Sequence, residues 1–490
     1  MTDYLQNRDV KTWLNIERVI GFGFFLFYMM GKLNYYLADS LLHSYFIILA
    51  VIVVSFSLYF FRLHDGKEIK ILAAFWLWFT ISRILGGDVM LNQYGVLLLS
   101  LAVCFSLTGL GMRSSSAERN RDLSVLSIAV CAFYFIMGVI CLYGMFLRKP
   151  VLNPITNSYI VYSAPDRFIR MGLFEVHSNI TAAMFMIPVF LLMHQMAYRK
   201  KTCITILAVP MIIVYLLCIG LTYSRNGMIC TSLGVALFVS LLFFRSLKNV
   251  RMRYRIAVVF LSVIVIVPLG YKTIEYSVKL FGQGSAAWFE IHQIYSHPTE
   301  QIPDVPDDED TGITSTMQQE ESASVDTKTL FEDKRDFARD ARTLTARTPL
   351  FRSAFLALKE EPIRILIGEN DDEKMLYYAN NVVQTEQHFA HMHNFLLQTL
   401  MVTGLPGLLL VLWFCIRLAI CCVHVFFQRQ NHLADTVLVI PIACYLLFFQ
   451  LESGLFTDVT VVTLFFFLVA GYVIRINDSA SAESAQCETV

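Results

Sequence analysis

The chain has 490 residues, 56% of them hydrophobic and 16% charged, with a mean hydropathy of +0.56. That balance excludes an ordinary soluble domain, and the zero net charge, without a basic tail or basic-aromatic pattern, gives no sign of a nucleic-acid partner.

Apolar windows of about 18–22 residues recur along the chain, each long enough to cross a bilayer as a helix. Twelve spans are expected, at 18–37, 41–61, 70–86, 89–112, 123–147, 179–198, 203–222, 226–246, 256–273, 394–416, 433–452 and 458–475. The expected class is therefore an all-α integral membrane protein. Residues 1–17 are polar and carry no cleavage-site pattern, so the first apolar run reads as an anchor rather than a removed signal peptide.

Orientation follows from Lys and Arg in the short connections. Alternate loops are basic: Arg8, Lys11 and Arg18; Arg62, Lys67 and Lys70; Arg113, Arg119 and Arg121; Arg199, Lys200 and Lys201; Arg245, Lys248, Arg251, Arg253 and Arg255. These loops are expected in the cytoplasm together with both termini, including the tail 476–490. Of the 11 cysteines, none falls in the large outward loop, and no CxxC pair suggests a metal.

Four regions result: spans one to nine (1–273), a large outward loop (274–392), spans ten to twelve (393–475) and the tail. A second outward segment, 148–178, is also too long to be a turn. Within the large loop, 299–333 is rich in Asp, Glu, Ser, Thr, Pro and Gln, with Lys328 its single basic residue. Such a stretch buries too little apolar surface to order itself, so a flexible acidic insertion is expected. Its DDED tetrad (Asp307–Asp310) contains a D-x-D spacing, yet nothing around it would hold metal ligands rigidly, and a solvated acidic loop is the expectation. Structure resumes at RTPLFRSAFLALKEEP (Arg347 to Pro362). Thr348 suits an N-cap and Pro349 the first helical position; Phe351, Ala354, Phe355 and Leu358 then share one face, and Pro362 ends the helix.

Ionisable groups at membrane edges are costly and therefore candidates for function. Arg225, in TYSRNG (Thr222 to Gly227), lies in the tight outward turn between spans seven and eight; its alternative is snorkelling to head groups. Arg347 precedes a helix start, where free N–H groups and the helix dipole favour anions and a guanidinium adds a fork suited to phosphate; its alternative is an ordinary surface arginine. His393 and Asn394 open span ten, one step after His391. A histidine titrates near neutral pH and suits a general base, though it could equally be an interfacial histidine without a task. The following GLPG (Gly404 to Gly407) should kink the helix or let it pack closely. Arg83, Asp88 and Glu452 also lie near outer ends, with snorkelling as their default reading. Two arginines and a histidine on one face, without a carboxylate cluster or metal ligands, fit transfer of a group from a membrane-anchored phosphate or diphosphate donor to a hydroxyl.

These residues resemble the O-antigen ligase and polymerase family of bacterial membrane glycosyltransferases. The likeness rests on His393-Asn394 followed by Gly404 and Gly407, on TYSRNG as the family's T-x-S-R turn, on Arg347, Pro362 and Gly368, and on RMGLFEVHSN (Arg170 to Asn179). It covers about 165–410. IGEN (Ile367 to Asn370) departs from the family's frequent G-x-G, and the acidic insertion is a second departure. The resemblance implies a metal-independent, inverting transferase of the bacterial inner membrane that needs no cofactor. It implies a polyprenyl-diphosphate-linked glycan donor, a glycan or glycolipid acceptor, and an active site on the extracytoplasmic face. By position, His393 would be the base and Arg225 and Arg347 would bind the diphosphate, with Asn394, Arg170 and Ser224 in support. The main rival is a polysaccharide flippase, which should carry charges near the bilayer midplane and repeat one half in the other. A receptor whose long loop binds a ligand is a third reading.

Overall fold

A computed structural model describes residues 15–29 (apart from 17 and 27), 66–85, 91–147, 151–152, 159–163, 171–173, 177–199, 202–247, 250–291, 351–368 (apart from 353), 392–428, 432–452 and 454–488. The expected second span (41–61) and the acidic insertion (299–333) lie outside these residues.

In lipid the backbone must satisfy its own polar groups, so the apolar runs fold as helices. They are α1 (15–29), α2 (Lys67–Leu85), α3 (Leu91–Arg113), α4 (Ser116–Phe146), α5 (Ser178–Arg199), α6 (Thr202–Leu221), α7 (Arg225–Ser246), α8 (Met252–Ile291), α9 (351–360), α10 (Arg364–Ile367), α11 (Phe395–Phe427), α12 (Leu433–Val437), α13 (Val439–Phe449) and α14 (Val461–Glu488). Among the described residues, seven helices are long and apolar enough to cross a membrane: α4 to α8, α11 and α14. That is the architecture of a multi-pass membrane protein.

Two features add to the expected architecture. The fold is mostly but not wholly helical: the segment after α4 forms a three-stranded antiparallel sheet, β1 (Val151–Leu152), β2 (Tyr159–Ser163) and β3 (Met171–Leu173), in sequential order. Strands of two, five and three residues are too short to show a period, so the sequence pattern did not disclose them. The second concerns the ninth span, expected at 256–273. It is part of the 40-residue α8, about 60 Å long against about 30 Å of hydrocarbon. Its polar continuation (Lys272, Glu275, Lys279) keeps its helical backbone beyond the apolar stretch.

The core is built around α5 and α14, which are apolar on nearly every side. A cluster of rings, Phe75, Phe105, Phe414, Phe456 and Phe467, packs mostly edge to face at its centre. At one end of the bundle, buried ion pairs tie helices together. Arg18 Nε lies 2.7 Å from Asp122 Oδ2, and Arg119 Nη2 lies 2.6 Å from Asp435 Oδ1. A third pair is covered on one side only: partly exposed Arg417 places Nη2 2.9 Å from Oε1 of buried Glu68.

The helix that follows His393 is not regular. Gly404 takes φ +69° inside α11, and Pro406 two residues later has no N–H to give Val402. Neighbouring helices take up the carbonyls. Trp78 Nε1 donates to Thr403 O at 2.7 Å, and Ser82 Oγ donates to Ile367 O and, at 3.3 Å, to Val402 O. A side chain on Gly404 would strike the Leu366 carbonyl of α10, and one on Gly368 (φ +81°) would strike the Val402 carbonyl. The two glycines form a notch that seats the end of the large loop on α11. Ser82→Ala removes the hydroxyl that serves two buried carbonyls and is expected to cost about 1–3 kcal/mol, read as a lower thermal midpoint in detergent.

The α9 helix ends at 360, before Pro362, as the sequence indicates. Its buried face differs from the expected one. Ala354, Ala357 and Leu358 pack with Met392, Leu397 and Met401, whereas Phe355 is 59% exposed. Ala357 takes the inward place because the short side chains let α9 lie close on α11, and the larger Phe355 turns outward.

Candidate functional site

The TYSRNG turn is built by its own side chains. Thr222 Oγ1 donates to Ile219 O at 2.6 Å and accepts from Ser224 N at 3.2 Å. Ser224 Oγ then accepts from Gly227 N at 3.1 Å, capping α7, so that Arg225 is its first helical residue. Tyr223 takes φ +50°, a conformation that a bulky residue rarely adopts, and this reverses the chain within three residues. Asn226 turns inward and donates to Phe448 O at 2.7 Å, joining this turn to the end of α13. Arg225 lines a small cleft between α6, α7 and α8, partly open to solvent.

His393 is the other left-handed residue, φ +48°, and it redirects the chain into the cap of α11. Asn394 is that cap: its Oδ1 accepts from Leu397 N at 2.9 Å, while its Nδ2 donates to Gln450 O at 3.0 Å. The asparagine thus has a positioning task on both sides, fixing the helix start and docking it on the segment after α13.

That segment decides the site. Together α12 and α13 span Leu433–Phe449, about 25 Å of helix, short of a bilayer's hydrocarbon. Residues 450–452 and 454–460 then fold inward before α14 begins. Leu455 and Phe456 are fully buried, and the Phe456 ring meets those of Phe395 and Phe414. Non-helical backbone at such depth is tolerated where protein or a cavity surrounds it. Here Asp458 N donates to Gly454 O at 3.0 Å, and Thr460 and Thr463 bond each other. The inward fold carries Glu452, 2% exposed, against His393: Glu452 Oε2 lies 3.9 Å from His393 Nδ1. Asn179 of α5 donates to the other oxygen, Oε1. The imidazole itself is 20% exposed, so solvent reaches the ring while its carboxylate partner is covered.

The structure therefore brings His393, Asn394, Glu452, Gln450 and Asn179 together, and it ties the Arg225 turn to the same end of the bundle through Asn226. Arg347 and Arg170 lie outside the described residues, as do His391 and Asp88. Snorkelling, the default for Glu452 and Arg83, is corrected for both. Arg83 is 6% exposed, with its guanidinium 5.5 Å from the Phe79 ring centroid. The sequence offered Glu452 as a residue that could line the same cavity, behind snorkelling as the default, and gave it no task toward His393. Its signal, a carboxylate between two apolar runs, also fits a side chain reaching for head groups.

Residues 210–412 match a family model described as O-antigen ligase. This part of the chain is similar to the O-antigen ligase family. The family region contains Ser224, Arg225, Arg347, His393, Asn394 and the Gly404 kink. Asn179 and Glu452 lie outside it, and they reach the site only through folding. No curated protein matches the chain.

Proposed function

We propose that this chain transfers a glycan from a polyprenyl-diphosphate-linked donor to an acceptor hydroxyl, as an O-antigen ligase or a surface-polysaccharide polymerase. The distribution of Lys and Arg supports a reaction on the outer face, and the family pattern supports a bacterial cytoplasmic membrane. The observation that carries this reading is the His393–Glu452 pair at the start of α11, within reach of solvent and beside the Arg225 turn.

The chemistry is a single displacement. The acceptor oxygen attacks the anomeric carbon, and its proton passes to His393. With Nδ1 facing Glu452, Nε2 is the nitrogen that takes it. The carboxylate offsets the positive charge on the ring as the proton arrives, and the Asn179 amide holds that carboxylate in place. The bond from the anomeric carbon to the diphosphate oxygen breaks with inversion. The diphosphate departs as an anion that needs no general acid, held by Arg225 and, by its place in the family pattern, Arg347. Ser224 caps the helix that begins at Arg225 and so orients it, and Arg170 joins the support by its place in the family pattern. No step requires a metal.

Full-length protein in liposomes, given a polyprenyl-diphosphate glycan and candidate acceptors, is expected to form glycosylated acceptor and free polyprenyl diphosphate with EDTA present. Arg225→Ala is expected to raise the donor KM by at least about tenfold, the loss of a charge-assisted hydrogen bond. Donor that crosses the bilayer without being consumed would replace this reading with the transporter.

A further inference from the structure

The cleft beside Arg225 has a wall that the proposed reaction does not yet use. Its far side is α8, which presents Tyr271, Glu275 and Val278 at i, i+4 and i+7 toward Tyr223 and Arg225. The approach is set by Gly220: a side chain there would strike Val278 and lie 2.9 Å from Ile274 Cγ2, so α6 and α8 touch at this glycine. The strained turn at Tyr223 brings a second ring to the same space. The continuation of α8 past its apolar stretch is what raises this wall.

The chemistry of the walls differs from that of a bare phosphate site. A guanidinium serves an anion. Tyrosine faces pack on the apolar face of a pyranose ring, and a carboxylate accepts hydrogen bonds from sugar hydroxyls or an amide. Lys272 donates to one oxygen of that carboxylate, Glu275 Oε2, at 2.6 Å in an exposed i,i+3 pair, which leaves the other oxygen facing outward from that contact. A cation next to aromatic rings and a carboxylate suits the junction between a phosphate and a sugar.

We propose that Tyr271 and Glu275 form a subsite for the diphosphate-proximal sugar of the donor. It rests on the reading of Arg225 as a diphosphate ligand. In this arrangement the guanidinium holds the diphosphate, and α8 reads the first sugar attached to it. The subsite then selects saccharide-bearing lipid over the spent carrier, which favours release of polyprenyl diphosphate after transfer.

The test measures binding of two probes to full-length protein in detergent: a polyprenyl diphosphate, and the same lipid carrying one N-acetylhexosamine. Wild-type protein is expected to bind the sugar-bearing lipid about tenfold more tightly. Tyr271→Ala and Glu275→Gln are expected to erase that preference and leave affinity for the bare lipid within about twofold of wild type. Tyr271→Phe, which keeps the ring, is expected to retain most of the preference and guards against misfolding of the alanine variant. Equal binding of the two lipids by wild type, an unchanged preference in Glu275→Gln, or equal weakening toward both lipids in these variants would overturn the subsite. Arg225→Ala separates this from the parent reading: it should weaken both lipids, and an intact affinity for bare lipid would remove the diphosphate assignment instead.

Discussion

His393→Ala is expected to lower glycan transfer by about 10²–10⁴-fold, the usual contribution of a positioned general base. Donor binding should change little, because in the proposed reaction the arginines and not the imidazole hold the diphosphate. Full transfer by the variant would remove His393 from the chemistry. The companion change, Glu452→Gln, keeps the shape and the Asn179 contact region but deletes the charge 3.9 Å from Nδ1. It is expected to lower turnover by about tenfold or more with KM nearly unchanged, since it acts through the histidine. It also has a signature that a packing role would lack. A base works in its unprotonated form, and a neighbouring carboxylate favours the protonated ring. Without that charge the acidic limb of the pH–rate profile should move to lower pH. A profile that falls in height without moving would assign Glu452 to packing alone.

The second large effect is structural. Gly404→Ala would put a methyl group onto the Leu366 carbonyl and force a side chain into φ +69°. Each problem alone costs about 1–3 kcal/mol, and neither can be relieved without opening the other side of the notch. A loss of about 3 kcal/mol or more is expected, seen as a fall in thermal midpoint followed by tryptophan fluorescence in detergent. Leu409→Ala, on the exposed side of the same helix, serves as the reference and should shift stability by only about 0.5 kcal/mol. Equal midpoints for the two variants would mean that α10 and α11 do not depend on the notch. Because α11 begins at the asparagine cap beside His393, a surviving Gly404→Ala protein should also lose activity beyond its loss of stability.

Much of this was written in local sequence. Helices α4 to α8, α11 and α14 follow from apolar runs whose length meets the requirement of a bilayer. The helix-start logic of Asn394 and Ser224 is visible because a cap acts within three residues of itself. The kink at GLPG was legible for the same reason: proline removes a donor, and glycine permits a left-handed backbone, wherever they occur. The α9 face was half legible. Its periodicity marked Ala354 and Leu358, but choosing Ala357 over Phe355 depended on how closely α9 lies on α11.

What the sequence could not determine was distance across the fold. Glu452 lies about 60 residues from His393, and Asn179 comes from a third helix. An isolated acid in an apolar run looks the same whether it reaches for head groups or points inward. The sequence by itself determined that this is a helical membrane protein with a histidine and an arginine at span ends, because hydropathy and capping are properties of neighbouring residues. Only the tertiary structure decided that the segment after α13 folds inward and sets a buried carboxylate on that histidine. The reason is that the fold of 450–452 and 454–460 is fixed by aromatic packing around Phe456 and by hydrogen bonds from other helices, none of which their own residues specify.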